Sequence, residues 1–407
     1  MEYGLIGEKL VHSFSPKIHN MIAPYDYSLC PLSKDAVAEF LRAKNFKGIN
    51  VTIPYKQTVI EYLDELSNEA KRIGAVNTIK NQNGKLIGYN TDYFGFKYML
   101  KSVEMEIKDQ VVAVLGTGGA SKAVKAVLED LGAKEIVFIS RGGERDYNYL
   151  HNRTDVNIIV NATPVGTYPN VEDCLVDLGK FTSLKGVADL VYNPSVTELI
   201  YRAKQLNIKC VNGLSMLVAQ AKKSAEIFLE KDIDDGVIQD ITLSIERQTK
   251  NLVLVGMPGV GKTTIGKLIA TKTGRKFVDS DEMFTEKFNK TPATYILEKG
   301  EKAFRDGEEE VLKELLKESG TVIATGGGAA IRELNVKRMK SNSIVVWLKR
   351  DIDKLSTKDR PLSSSSEKLA EMLKVRTPMY KGASDYSFNV QDDANALSEK
   401  IINELNL

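Results

Sequence analysis

Two glycine-rich turns of different kinds stand on this chain, each behind a β-branched apolar run. VVAVL at 111–115 leads into GTGGAS at 116–121, and NLVLV at 251–255 leads into GMPGVGKT at 256–263. A helix-forming stretch follows each turn, AVKAVLEDL after the first and IGKLIATKTG after the second, the latter closing on Gly274 as an expected C-cap. A strand, a tight glycine turn and a helix start bring backbone amides and the positive end of a helix against an anion. One such unit handles one nucleotide, so this chain is built to handle two.

The second turn carries Gly256, Gly261, Lys262 and Thr263 at the full P-loop spacing. Lys262 is expected to reach the β- and γ-phosphates of ATP and Thr263 to hold Mg2+, with Gly259, Gly261 and Thr264 completing the cradle. The first turn has no lysine. Gly116, Gly118, Gly119 and Ala120 approximate a dinucleotide fingerprint, and Ser121 stands where a third glycine or alanine is usual. Taken alone, that stretch reads equally as an ordinary strand-to-helix turn.

At 407 residues, 43% of them hydrophobic, the chain has room for two to four domains with real cores. Lys and Arg number 56 against 54 Asp and Glu, a balance that gives no bulk-charge argument for nucleic acid or membrane binding. No apolar run approaches a membrane span, and the N-terminus lacks a signal-peptide core. Cys30, Cys174 and Cys210 are odd in number and show no C-x-x-C spacing, which points to a reduced, cytoplasmic setting and away from a zinc site. Apolar runs recur at 136–139, 157–160, 187–191, 321–324 and 344–348 with helical patterns between them. That rhythm predicts an α/β chain with parallel sheets and helices on both faces. The charged stretch 229–249 reads as a helix end plus a short connector, and the serine run 363–366 beside Pro361 as a mobile loop.

The N-terminal half then supplies ordered blocks: HSFSPKIHN at 12–20, GINVTIPYKQ at 48–57, GAVNT at 74–78, GYNTDYFG at 88–95, NATPVG at 161–166, YNPSVTEL at 192–199 and NGLSMLVAQA at 212–221. Together with the first glycine turn they resemble shikimate dehydrogenase over essentially all of residues 1–245. The resemblance implies reversible reduction of 3-dehydroshikimate to shikimate. It also implies a two-lobed arrangement: residues 1–100 with about 215–245 as the substrate and catalytic domain, and 101–214 as a Rossmann-like NADP domain. Carbonyl reduction independently needs a proton donor for the forming oxyanion and a partner that holds it, and Lys56 with Asp92 answers that need. The family's substrate ligands fall on Ser13, Ser15, Thr52, Lys56, Asn77, Asp92 and Gln220. After the strand IVFIS come Arg141 and Arg145, basic groups suited to the 2′-phosphate of NADP. Here the turn reads S-R-G-G-E-R where the family's NADP-using members carry N-R-T, and only eleven residues separate Arg145 from the strand at 157, so this part of the cofactor domain is trimmed.

From about 250 to the end, DSDEMFTE at 279–286, EKGEKAFRDGEEEVL at 298–312, ATGGGAA at 324–330, KDRPLS at 358–363 and RTPMY at 376–380 join the P-loop to resemble shikimate kinase. This is the expected third domain, 250–407, a P-loop kinase with a central parallel sheet. Phosphoryl transfer asks for metal ligands, a clamp on the acceptor and cations near the γ-phosphate. By resemblance Thr263 and Asp279 serve Mg2+, while Asp281 binds the acceptor hydroxyls and is the candidate base. Arg305, Arg376, Gly326, Gly327 and Gly328 enclose shikimate, whose carboxylate suits a bidentate guanidinium. Arg360 sits on the expected lid with an ATP role. The arginine usual a few residues before R-P is missing, with Lys354 and Lys358 nearby.

The two halves thus read as consecutive steps on small-molecule substrates, the first making a hydroxyl that the second phosphorylates, and an oligomer is compatible with this. Two other readings stay open on the residues. The first half could be a non-catalytic shikimate sensor attached to a working kinase, or a quinate or shikimate dehydrogenase using NAD.

Overall fold

The computed structural model describes residues 1–407 apart from 11–12, 168–169, 356–365 and 392. Arg360, Lys358 and most of the serine run therefore lie outside the described residues. The chain divides into two compact units, Met1–Ser244 and Ile245–Leu407. The division falls within the helix Gly236–Thr249. The stretch expected as a helix end and connector is thus mostly helix, with the connector shortened to 230–235. Its apolar residues Ile238, Ile241 and Ile245 recur at helical spacing and are buried, which is the reason the charged composition misleads.

The first unit holds two sheets. Strands β1 (Tyr3–Gly7), β2 (Tyr27–Pro31), β3 (Gly48–Val51), β4 (Glu65–Leu66), β5 (Thr78–Gln82) and β6 (Lys85–Tyr89) form a sheet of order β2-β1-β3-β5-β6-β4. It is mixed, which departs from the all-parallel expectation: β5 runs antiparallel to both β3 and β6. The cause is local. Asn83 and Gly84, both at positive φ, close a two-residue hairpin between β5 and β6. Helix Leu214–Leu229 returns to pack on helix Asp92–Ser102 beside this sheet.

The second sheet is built from β7 (Val111–Leu115), β8 (Glu135–Ile139), β9 (Ile158–Asn161), β10 (Gly186–Asp189) and β11 (Lys209–Asn212). Its strands are all parallel, in the order β11-β10-β9-β7-β8. The first strand, β7, sits between the second and the third, so the chain reverses winding there and a crevice opens at the carboxyl ends of β7 and β9. Between β8 and β9 only the short helix Tyr147–His151 is present, as the eleven-residue spacing implies.

The second unit has one parallel sheet, β12 (Asn251–Val255), β13 (Phe277–Asp279), β14 (Val322–Ala324), β15 (Ser343–Lys349) and β16 (Tyr386–Asn389), in the order β13-β14-β12-β15-β16. β12 is buried along its whole length, and helix Lys262–Thr273 follows it, capped by Gly274 at φ 70°. The segment Pro292–Leu315 is helical on either side of a break at Gly300, φ 84° and ψ 163°. Among the described residues no helix is long and apolar enough to cross a membrane.

Candidate active sites

In the first unit, a cavity of about 670 Å³ is lined by Ser13, Ser15, Thr52, Lys56, Asn77, Asp92 and Gln220, all the substrate ligands expected from the sequence. They come from five segments. Ser13 and Ser15 precede and begin helix Ser15–Ile22, their hydroxyls 3.1 Å apart. Thr52 and Lys56 follow β3, Asn77 precedes β5, Asp92 begins helix Asp92–Ser102, and Gln220 projects from helix Leu214–Leu229. Lys56 Nζ donates to Asp92 Oδ2 at 2.6 Å. Asn77 Nδ2 donates to the other carboxylate oxygen at 3.0 Å and lies 3.4 Å from Gln220 Oε1. The lysine and the carboxylate are largely shielded, at 18% and 9% side-chain exposure, so their attraction is screened less than that of a surface pair. An ammonium held this way, inside a cavity of neutral hydroxyl and amide groups, can deliver a proton to a bound oxygen.

Ala120, from the first glycine turn, lines the same cavity, so the turn and the ligand set meet. Gly116 adopts φ +98°, and a Cβ there would come within 2.7 Å of Thr163 Cγ2 on the loop after β9. That loop is held in turn: Thr163 donates to Asn161 Oδ1 at 2.6 Å, and Asn161 Nδ2 donates to Asp189 Oδ1 at 2.9 Å. Burial raises the Asp189 carboxyl to about 6, against hydrogen bonds from Thr197, Val191 and Asn161 that favour its ionised form. Gly118 caps helix Gly119–Asp130, and the space beside Gly118 and Gly119 is open. Arg141 and Arg145 lie just past β8, whose end pairs in register with the end of β7 at Leu115 and Ile139, so both arginines share the sheet end with the glycine turn. Both are exposed, and Ser140 N–H closes the turn onto Arg145 O at 3.2 Å. Tyr192 and Asn50 also line the cavity and were not singled out from sequence; Tyr192 lay inside the quoted YNP block and was its one aromatic signal.

The second unit has a cavity of about 740 Å³ lined by Gly259, Gly261, Lys262, Thr263, Thr264, Asp279, Asp281, Arg305, Gly326, Gly327, Gly328 and Arg376. Lys262 Nζ donates to the carbonyls of Gly256 and Met257 at 3.0 Å each, folded back along its own loop. Thr263 Oγ1 donates to Asp279 Oδ2 at 2.7 Å, which places a hydroxyl and a carboxylate together at the start of the helix. Hard oxygens of this kind, open on one side to the phosphate cradle, fit Mg2+, which keeps waters and takes few protein ligands.

Arg305 is held by Glu308 at 2.7 Å and Glu301 at 3.1 Å. Its guanidinium lies against Gly328, where a Cβ would stand 1.8 Å from Nη1. Arg376 donates to Gly327 O at 2.9 Å, and the Tyr380 hydroxyl donates to the same carbonyl. Burial pushes the Tyr380 hydroxyl up, partly offset by Arg376. Glu301, Glu308 and Tyr380 were missed in the sequence because acidic residues in a run and a tyrosine after arginine carry no distinctive spacing.

A family model for shikimate kinase matches residues 258–406, and one for the shikimate dehydrogenase substrate binding domain matches residues 5–79. Over 267 residues the chain is 42% identical to a shikimate dehydrogenase (NADP(+)) of Clostridium beijerinckii, covering 61% of this chain and 99% of the relative. The solved structure of a chorismate mutase/shikimate 5-dehydrogenase fusion protein from Clostridium acetobutylicum is similar at TM-score 0.58 and 38% identity, over 60% of this chain and 96% of that one. A shikimate 5-dehydrogenase from Thermus thermophilus, solved with NADP(H) and shikimate, is similar at TM-score 0.54 and 29% identity, over 60% of this chain and 99% of that one. Through its N-terminal part the chain belongs to the shikimate dehydrogenase family, and behind that part it carries a shikimate kinase domain.

Proposed function

We propose that one chain reduces 3-dehydroshikimate to shikimate with NADPH and then phosphorylates shikimate from ATP, in the cytoplasm, on the way to chorismate and the aromatic amino acids. The observation that carries this reading is the completeness of two separate cavities. One gathers five neutral ligands around a Lys56–Asp92 contact of 2.6 Å, and the other gathers a phosphate cradle with two arginines. The domain limits that go with it are 1–100 plus about 215–245, 101–214, and 250–407.

In the first cavity the hydroxyls of Ser13 and Ser15 receive the substrate carboxylate, and Thr52, Asn77 and Gln220 take the ring hydroxyls. NADPH supplies the hydride, and its 2′-phosphate is met by Arg141 and Arg145. Lys56 donates its proton to the carbonyl oxygen as that oxygen becomes hydroxyl, and Asp92 holds the ammonium in line. In the second cavity Arg305 and Arg376 take the carboxylate of shikimate, and Asp281 receives the proton of the attacking hydroxyl. Lys262 follows the charge that develops on the transferred group, and Thr263 and Asp279 are the residues that would hold Mg2+, which would supply charge neutralisation at the phosphates.

The test is product analysis by mass spectrometry on the full chain given 3-dehydroshikimate, NADPH, ATP and Mg2+, with each cosubstrate omitted in turn. Shikimate 3-phosphate is expected in the complete mixture, shikimate alone without ATP, and no conversion without NADPH. A chain that phosphorylates added shikimate but never reduces the ketone would sink the first half of the reading. Substituting NADH for NADPH at equal concentration should slow reduction strongly, and equal rates would remove the role given to the arginines.

A further inference from the structure

Behind the ligands of the first cavity lies a polar cluster in which Ser224 is the centre. It stands one turn after Gln220 on helix Leu214–Leu229, has no solvent exposure and does not line the cavity. Its hydroxyl donates to the Gln220 carbonyl at 2.9 Å and accepts from Asn50 Nδ2 at 2.8 Å. Thr78 Oγ1 at 2.9 Å and Thr91 Oγ1 at 3.1 Å complete its surroundings. Each neighbour belongs to a different segment and either lines the cavity or adjoins a residue that does. Asn50 and Gln220 themselves line it, Thr78 follows Asn77, and Thr91 precedes Asp92.

Proton counting gives this cluster a direction. A serine hydroxyl has one hydrogen and two lone pairs, and a carbonyl can only accept, so the hydrogen of Ser224 goes to Gln220, and its lone pairs take the Asn50 amide and one of the two threonine hydroxyls, leaving the other threonine hydrogen for Asn77 Oδ1. Asn77 Oδ1 takes the Thr91 backbone N–H at 2.7 Å and lies 3.2 Å from each threonine hydroxyl. With its oxygen held by the Thr91 N–H, the Asn77 amide turns Nδ2 toward Thr91 Oγ1 at 3.0 Å, Asp92 and Gln220. In a buried, low-dielectric setting these contacts are mutually dependent, and removing the central acceptor loosens all four segments at once.

We propose that Ser224 is a positioning residue of the reductase site: it sets the placement of Asn77 and Gln220 and, through Asn77, the Asp92 carboxylate, without touching substrate. The proposal rests on the reading of this cavity as the shikimate site.

The experiment is steady-state oxidation of shikimate by NADP+ on the full chain without ATP, with each substrate varied in turn. Ser224→Ala should lower kcat/KM for shikimate about tenfold, the size of one lost buried hydrogen bond, and raise its KM while leaving KM for NADP+ unchanged. Ser224→Thr keeps the oxygen and should recover most of the loss. An unchanged kcat/KM in Ser224→Ala, parallel rises in both KM values, or a Ser224→Thr variant no better than Ser224→Ala would each overturn the role. If Ser224→Ala does not fold, the isosteric Thr78→Val removes a hydroxyl from the same cluster and must show the same split, and a shikimate KM unchanged there also overturns it. A wild-type chain inactive in both directions would instead overturn the reading of the cavity, and the positioning role with it.

Discussion

Lys56 is the residue on which the reductase reading turns. Its replacement by alanine should cost on the order of 10²–10⁴ in the rate of 3-dehydroshikimate reduction, the usual range for a lost general acid. Phosphorylation of added shikimate by the same sample checks that the protein is intact, and a reduction rate within threefold of wild type would remove the assignment. Two buried titratable groups make a second, independent prediction. His19 is fully buried, stacked on Tyr27 at 3.9 Å, and burial lowers its pKa from 6.5 to about 3. The unfolded chain takes up that proton below 6.5 and the folded chain does not until about 3, so this contribution is lost as pH falls through the interval. Asp189 acts in the opposite sense: raised from 3.8 to about 6, it keeps its proton in the fold while the unfolded chain ionises, so stability falls as pH rises between those values. Urea unfolding at pH 4, 5 and 6 should therefore show a slope of stability against pH that is more negative than wild type in His19→Phe and more positive than wild type in Asp189→Asn. Parallel slopes in all three proteins would refute both assignments.

At the scale of elements, the kinase site depends on how closely the loop after β14 approaches the helix that carries Arg305. A methyl at residue 328 has nowhere to go but into the guanidinium, 1.8 Å away. Gly328→Ala should displace Arg305 and raise the KM of phosphorylation for shikimate roughly tenfold or more, since misplacement by about an ångström costs up to 10². KM for ATP should move little, because the cradle at 259–264 is carried by a different loop, and kinetics with each substrate varied separates the two. Seven of the ten parallel strands of the second and third sheets were legible as short apolar runs bounded by turn residues, whereas β11, β13 and β16, short and only partly buried, were not. The mixed first sheet was not, although the Asn83–Gly84 pair that reverses the chain there is among the strongest short hairpin signals. An alternating βα rhythm over most of the chain masked it.

At the scale of the whole molecule, the division into two compact units, with the nucleotide site proposed for each, predicts separable ligand effects on stability. In differential scanning calorimetry, NADP+ should raise the transition of Met1–Ser244, and ATP with Mg2+ that of Ile245–Leu407. At a hundredfold excess over Kd the linked stabilisation is about 2.7 kcal/mol, or roughly 5–10 °C for units of this size. A single transition raised equally by either ligand would contradict this.

The glycine turns, the strand-and-helix rhythm and the ordered blocks were enough to establish from residues alone an α/β chain with two strand–glycine turn–helix units, because those features depend on local backbone geometry and fixed spacing. What no local pattern could supply was convergence. Gln220 comes to lie within 3.4 Å of Asn77 only because helix Leu214–Leu229 returns across the unit, and nothing near residue 220 encodes that distance. The same holds for Glu308, which reads as one acid among several until Arg305 is seen to be buried against it, and for Ser224, ordinary in a helix until three other segments close around its oxygen. Spacing along a chain specifies turns and helix faces, whereas the partner of a buried polar group is decided by packing between segments far apart in sequence, and that exists only once the chain has folded.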